Sequence, residues 1–167
     1  MIAVRTDDLA FVSADAIARP VDAELRATTP LMRRLEVAGG EALARHLRVN
    51  EPLAVGSAVV TPAGALGAEL LIHGVVSSDT EPVSRTSVRQ AVSSALQRAA
   101  DWGIEHLALA PFGIGAGNLD VEDAAELVAE AVRRHREMAK YPTSITIVVE
   151  TSFEHDVFER LVCGGVP

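Results

Sequence analysis

Cysteine and lysine are almost missing from this sequence. Of 167 residues one is Cys, Cys163, and one is Lys, Lys140. A lone cysteine cannot close an internal disulfide, and it excludes a thiolate zinc cluster. A reducing compartment, the cytoplasm, fits that composition. A lone lysine leaves one candidate for any lysine-based chemistry. Long apolar runs are absent too, none approaching the ~20 residues of a membrane span. The first ten residues carry acids at Asp7 and Asp8 and no apolar core, so no secretory signal is expected. Positive charge is short as well. The formal net charge is −8, which argues against a nucleic-acid polymer or an anionic membrane as partner, because affinity for phosphates comes from clustered Lys and Arg. His46, His73, His106, His135 and His155 are scattered without ligand-like spacing, so no metal is expected. No fixed-period repeat or low-complexity segment is visible.

What is present is an ordinary globular balance, 49% hydrophobic and 23% charged, which excludes a disordered chain. The length suits one domain over residues 1–167, able to bury roughly 70% of its unfolded surface without staples. The Ala- and Arg-rich, Lys-poor composition suggests a GC-rich bacterial genome.

Apolar periodicity reads as strands and helices in alternation. Strands are expected at Ile2–Arg5, Asp15–Arg19, Ser57–Pro62, Glu69–Val76, His106–Ala110 and Ser144–Glu150. Thr29-Pro30 looks like a helix start, with Thr as N-cap and Pro at the first helical position. That helix runs to about Leu47, broken near Gly39-Gly40. Two long helices are expected at Ser84–Trp102, with Gly103 as its C-cap, and Val121–Ala139, with Asp120 as its N-cap. A last helix covers Phe153–Val162. Trp102 is assigned to packing. Together these elements predict a three-layer α/β/α sandwich with a mixed sheet of about six strands.

The stretch richest in chemistry is APFGIGAGNLD, Ala110–Asp120, between an apolar strand and an amphipathic helix. Gly113, Gly115 and Gly117 alternate in it. Glycine costs backbone entropy, so such a run asks for a reason. One reason is close approach to a ligand, with N–H groups turned inward as an anion nest and the next helix adding its positive end. The plain alternative is a tight turn. No Lys-Ser/Thr follows, so it is not a Walker A loop, and its spacing departs from a dinucleotide fingerprint. Asp7-Asp8-Leu9 follows the first strand, where a carboxylate can accept from a base amine. In isolation a solvated turn or helix cap is the better reading. His73, in the apolar LLIHGVV, reads as a hydrogen-bonded core residue.

These pieces, in this order, resemble the macro domain, the ADP-ribose-binding module, over about residues 1–160. Asp7-Asp8-Leu9 is similar to the family's Gly-Asp-Ile turn, and Asp15-Ala16-Ile17 to its Asp-Ala-Ile strand. Val55–Val76 and the PFGIGAG of Pro111–Gly117 resemble its next strand pair and its phosphate loop. The resemblance implies that Asp8 accepts the adenine amine and that the Leu9 amide donates to the ring. It implies that the amides of Gly113, Ile114, Gly115 and Ala116 cradle the diphosphate, with Gly117 and Asn118 completing the loop. Phe153 would stack on adenine. No cofactor is implied, and the partner is ADP-ribose or an ADP-ribosylated protein.

The departures bear on chemistry. The family's NaaN segment is here Arg19-Pro20-Val21-Asp22, so Asp22 replaces the second Asn, which supports hydrolysis in one branch. The first Gly-rich loop is replaced by Arg26-Ala27-Thr28-Thr29-Pro30. The catalytic lysine of another branch lies early in its chain, whereas Lys140 lies late. The Thr28 and Thr29 hydroxyls and a helix end can still meet a ligand oxygen, and Arg26 and Arg33 can supply charge. Three functions follow: an ADP-ribosyl-protein hydrolase with Asp22 orienting water or a ribose hydroxyl, a non-catalytic reader, or an interaction domain with a degenerate pocket.

Overall fold

The computed structural model describes residues 1–115 and 119–164. Among these, six strands form one sheet: β1 (Ile2–Thr6), β2 (Ala16–Asp22), β3 (Ala58–Pro62), β4 (Leu70–Ser77), β5 (His106–Leu109) and β6 (Ser144–Val149). Their spatial order is β1-β6-β5-β2-β4-β3. All neighbours run parallel except β3, which is antiparallel to β4. The helices are α1 (Pro30–Ala44), α2 (Arg85–Asp101), α3 (Val121–Met138) and α4 (Ser152–Phe158), the last continued by a π-helical turn, Glu159–Cys163.

Period-two alternation along β2 sorts the layers. Ala16 and Ala18 join the core under α2, α3 and α4, while Ile17 joins the core under α1. The result is the expected mixed α/β/α sandwich. Among the described residues, no helix is long and apolar enough to cross a membrane.

The helix ends follow local chemistry. Thr29, Ser84, Asp120 and Thr151 each accept a first-turn N–H on the side-chain oxygen, a cap worth about 1 kcal/mol. α1 is kinked at Gly40, whose φ of 68° and ψ of −166° are not helical.

Two expectations need correction. β2 continues through Pro20 to Asp22 instead of stopping at Arg19. Residues two apart in a strand face the same neighbour, and the Ala18 carbonyl accepts Ala110 N–H from the β5 side at 2.9 Å. Pro20 therefore faces that side too, beyond the end of β5, where no ladder bond is needed. Trp102 is 59% exposed and caps α2 without entering the core. A 3-10 turn, Leu9–Phe11, follows β1 with Asp8 as its N-cap, in keeping with the turn or helix-cap reading of Asp7-Asp8-Leu9.

Candidate functional site

A hollow of about 220 Å³ opens at the carboxyl ends of β2, β5 and β6. On one side it is lined by Thr29, Pro30, Leu31 and Met32, the start of α1. Thr29 Oγ1 accepts Met32 N–H at 3.3 Å. Pro30 has no N–H and Arg33 N–H donates to Thr29 O at 3.1 Å, so the first turn brings the Leu31 N–H and the positive end of the helix dipole. On the other side lie Pro111, Ile114 and Gly115 of the β5–α3 loop. Gly113 and Gly115 have φ of 90° and 131°, a region open to glycine and strained for other residues. The loop is anchored by Phe112, which is fully buried. Its ring packs against β4 where Gly74 stands; a Cβ there would lie 2.7 Å from Phe112 Cε2.

The β2–α1 loop is held differently. Asp22 Oδ1 accepts the N–H groups of Glu24 and Arg26, each at 2.9 Å. Asp22 Oδ2 lies 3.2 Å from Arg26 Nε, and Arg26 also pairs with Glu24. Leu25 has a φ of 63°, a conformation that costs a non-glycine residue about 1–2 kcal/mol. Its side chain is buried, its N–H donates to Asp22 O at 3.0 Å, and its carbonyl accepts from Arg19 Nη2 at 3.4 Å.

Arg19 is the centre of a buried network. It is fully buried in β2. Its Nη1 donates to Glu36 Oε1 of α1 at 2.7 Å, and its Nε donates to His73 Nδ1 of β4 at 3.0 Å. An imidazole that accepts at Nδ1 is neutral and carries its proton on Nε2, which lies 2.9 Å from Thr61 Oγ1. Burial first, then the Arg19 charge, hold the His73 pKa well below its ordinary range. Burial pulls the Arg19 pKa down, and Glu36 acts against that. The network ties α1 and the β2–α1 loop to the sheet.

A second hollow, about 520 Å³, lies beside the first and is lined by Asp8, Phe11, Arg33, Arg34, Val37 and Ala38 among others. Arg34 lines both hollows. Its Nη2 pairs with Glu150 Oε1 at 2.6 Å. Glu154, also at the first hollow, accepts Glu150 N–H at 3.0 Å.

Residues 20–128 match the family model of the macro domain. The chain belongs to the macro domain family. It is similar to an uncharacterized protein of Mycobacterium tuberculosis, 34% identical over 133 residues, a match covering 80% of this chain and 37% of that protein. The macro domain here thus spans little more than a third of that relative. It is also similar to an uncharacterized protein of Aeropyrum pernix, 31% identical over 151 residues, covering 89% of this chain and 78% of that one. In fold it resembles a Trypanosoma brucei macrodomain in complex with ADP-ribose, with a TM-score of 0.85 at 17% identity, covering 98% of this chain and 69% of that chain. An Oceanobacillus iheyensis macrodomain with ADP gives a TM-score of 0.77 at 13% identity, covering 96% and 88%.

In this macro domain the residues singled out from the sequence fall into three groups. Ile114 and Gly115 line the smaller hollow, whereas Gly113 is buried and a Cβ on it would meet Val88 of α2 and Ala124 of α3. Asp8 lines the larger one, and its Oδ1 accepts Ala10 N–H at 3.0 Å. Leu9 is buried next to it. Phe153 sits in the first turn of α4, 65% exposed and outside the lining of either hollow. Asp22 staples its own loop and borders a separate hollow of about 360 Å³ with Glu24, Asp79 and Glu81. Ala116, Gly117 and Asn118 lie outside the described residues.

Of the arginines suggested as charge donors, Arg26 is engaged by Asp22 and Glu24, and Arg33 lines the larger hollow. Arg34, Glu150 and the Arg19 network were missed. A charge inside an apolar strand, AIARPVD, was the available signal for Arg19. His73 is a hydrogen-bonded core residue, as read. At the opposite end of the sheet Asp15, Glu105 and His106 bring three potential ligand atoms within 4.8 Å of one another, all exposed. Asp15 Oδ2 already accepts His106 N–H at 2.8 Å.

Proposed function

We propose that this macro domain binds ADP-ribose, free or carried on a protein, with its diphosphate between the start of α1 and the Gly113–Gly115 segment. The supporting observation is that the start of α1, with its positive dipole end, and the glycine-bearing β5–α3 loop line one hollow at strand carboxyl ends. The solved macrodomain structures with ADP-ribose and ADP give the ligand class. In this reading Asp8 and the Leu9 amide meet the adenine, and Gly113, Ile114, Gly115, Ala116, Gly117 and Asn118 form the diphosphate loop. Phe153 is assigned to the adenine edge, which it reaches only if α4 turns it inward.

Calorimetric titration with ADP-ribose, with AMP and NAD as controls, tests the reading. A dissociation constant of about a micromolar, about −8 kcal/mol, is expected. No heat and no thermal shift at millimolar ligand would move an interaction domain with a degenerate pocket to the front.

Cleavage of the ADP-ribose–protein bond is the second reading. It is favoured by the carboxylates of Asp22, Glu24, Asp79 and Glu81 around the hollow beyond the β2–α1 loop, which can order water near a polarised ribose carbon. It is weakened by Asp22 itself, whose two oxygens are engaged within its own loop. Release of ADP-ribose from modified protein, followed by chromatography, separates hydrolase from reader. We assign the activity to the reducing cytoplasm, because the single cysteine has no partner for a disulfide.

A further inference from the structure

The two hollows share one member of an ion pair. Arg34 lines both, and its partner Glu150 lines the smaller. A ligand that touches Gly115 in one and Asp8 in the other passes Arg34, the residue common to both linings. Both partners are half-exposed, at 55% and 41%. An exposed pair of this kind is weak, so it opens readily in water. Arg34 is also the only arginine lining the smaller hollow among the described residues, where it stands with two carboxylates, Glu150 and Glu154. A diphosphate entering there meets net negative charge unless Arg34 is turned toward it.

We propose that Arg34 and Glu150 form a clasp across the ligand cleft, and that a nucleoside diphosphate takes Arg34 from Glu150 as it binds. Glu150 is the internal competitor for the guanidinium that the phosphates need. The clasp favours ligands that place a phosphate at Arg34 while reaching both hollows, because a planar guanidinium leaves a carboxylate for an oxyanion that offers comparable bidentate hydrogen bonds. This inference rests on the ADP-ribose reading.

The two partners carry opposite expectations. Glu150→Gln frees Arg34 and tightens ADP-ribose by roughly two- to fivefold, the range of an exposed ion pair. Arg34→Gln removes the phosphate partner and weakens it by roughly tenfold. A pair with a purely structural role would shift affinity the same way from either side. General repulsion by the acids would make Glu154→Gln as effective as Glu150→Gln, whereas the clasp makes it less effective. It would also leave the Glu150→Gln gain intact in an Arg34→Gln background, where the clasp abolishes it.

The experiment is calorimetry of wild type, the three single variants and the double variant with ADP-ribose and AMP, with melting temperatures to show that each is folded. Opposite shifts, larger for ADP-ribose than for AMP, with loss of the Glu150→Gln gain in the double variant, support the clasp. Binding by wild type with same-direction or additive shifts overturns the clasp and leaves the ADP-ribose reading standing. Binding by Glu150→Gln alone supports a clasp closed in the wild type. No binding by any of the proteins overturns both.

Discussion

Two loops flank the same hollow and are built from opposite materials. The β5–α3 loop is shaped by what its residues lack: Gly113 and Gly115 have no Cβ, so the backbone takes φ of 90° and 131°, with Gly115 lining the cavity and Gly113 close against Val88 and Ala124. Its anchor is apolar, the buried ring of Phe112. The β2–α1 loop has no glycine. It holds a non-glycine residue, Leu25, at a φ of 63°, and does so with charge: Asp22 on two amides, Arg26 on Asp22 and Glu24, Arg19 on the Leu25 carbonyl. The first loop relies on glycine backbone conformations in place of charged anchors. The second engages its polar groups on itself. A ligand in the hollow would meet glycine-bearing backbone on one side and the α1 helix end on the other.

The sharpest way to break this contrast is Arg19→Met. It leaves His73 Nδ1 and the Leu25 carbonyl without the guanidinium, while Glu36, 27% exposed, stays partly solvated. Unpairing these buried groups costs about 3 kcal/mol, read in urea unfolding. Amide exchange should quicken at Leu25 and Arg26 while the Leu119 N–H, bonded to Gly113 O at 2.9 Å, stays protected. Equal loosening of both loops would mean that they are one unit. The opposite experiment is Gly115→Glu. It strains a residue at positive φ by about 1–2 kcal/mol and puts a carboxylate where the diphosphate would lie. ADP-ribose affinity should fall about a hundredfold, about 2.7 kcal/mol, with the fold retained. Retained affinity would show the loop to be only a turn.

The difference between the loops also explains what could be read in advance. Glycine in alternate positions after an apolar strand is a local pattern, and the loop it marks stands where expected. The strands and long helices were legible for the same reason, since period two and period 3.6 are local. The end of β2 was not legible, because whether a strand can run through Pro20 depends on where β5 ends, which is a tertiary fact. Arg19, Glu36, His73 and Thr61 are far apart in sequence and converge only when β2, β3, β4 and α1 assemble. Arg34 and Glu150 are separated by 116 residues, and each alone looks like a solvated surface charge.

Asp22→Ala sharpens the contrast at smaller amplitude. It removes the acceptor for two loop amides and the Arg26 partner, a loss of about 1–2 kcal/mol of stability. Asp22→Asn keeps an acceptor and should lose less. If the domain proves to be a hydrolase, a fall in turnover without a fall in melting temperature would contradict the staple and support Asp22 as the group that orients water.

The smallest expected effect is in the pH dependence of stability, and it reports on the charged loop alone. Folded His73 accepts from Arg19 at Nδ1 and is held neutral, with a pKa well below the ordinary 6.5. In the unfolded chain it protonates near that ordinary value. Below it the unfolded state binds more protons than the folded one, so stability falls as the solution is acidified and is fully present above about pH 6.5. From pH 7.5 to 5.5 this contributes a loss of about 1.4 kcal/mol. Burial disfavours the charged imidazole first, and the Arg19 guanidinium, itself paired with Glu36, adds to it. His73→Gln can still accept from Arg19 and donate to Thr61, but it does not titrate. Its urea stability should be lower than wild type at pH 7.5, and the gap should narrow by about 1.4 kcal/mol at pH 5.5. A gap that stays constant would mean that His73 protonates alike in both states, and that Arg19 does not hold its proton off.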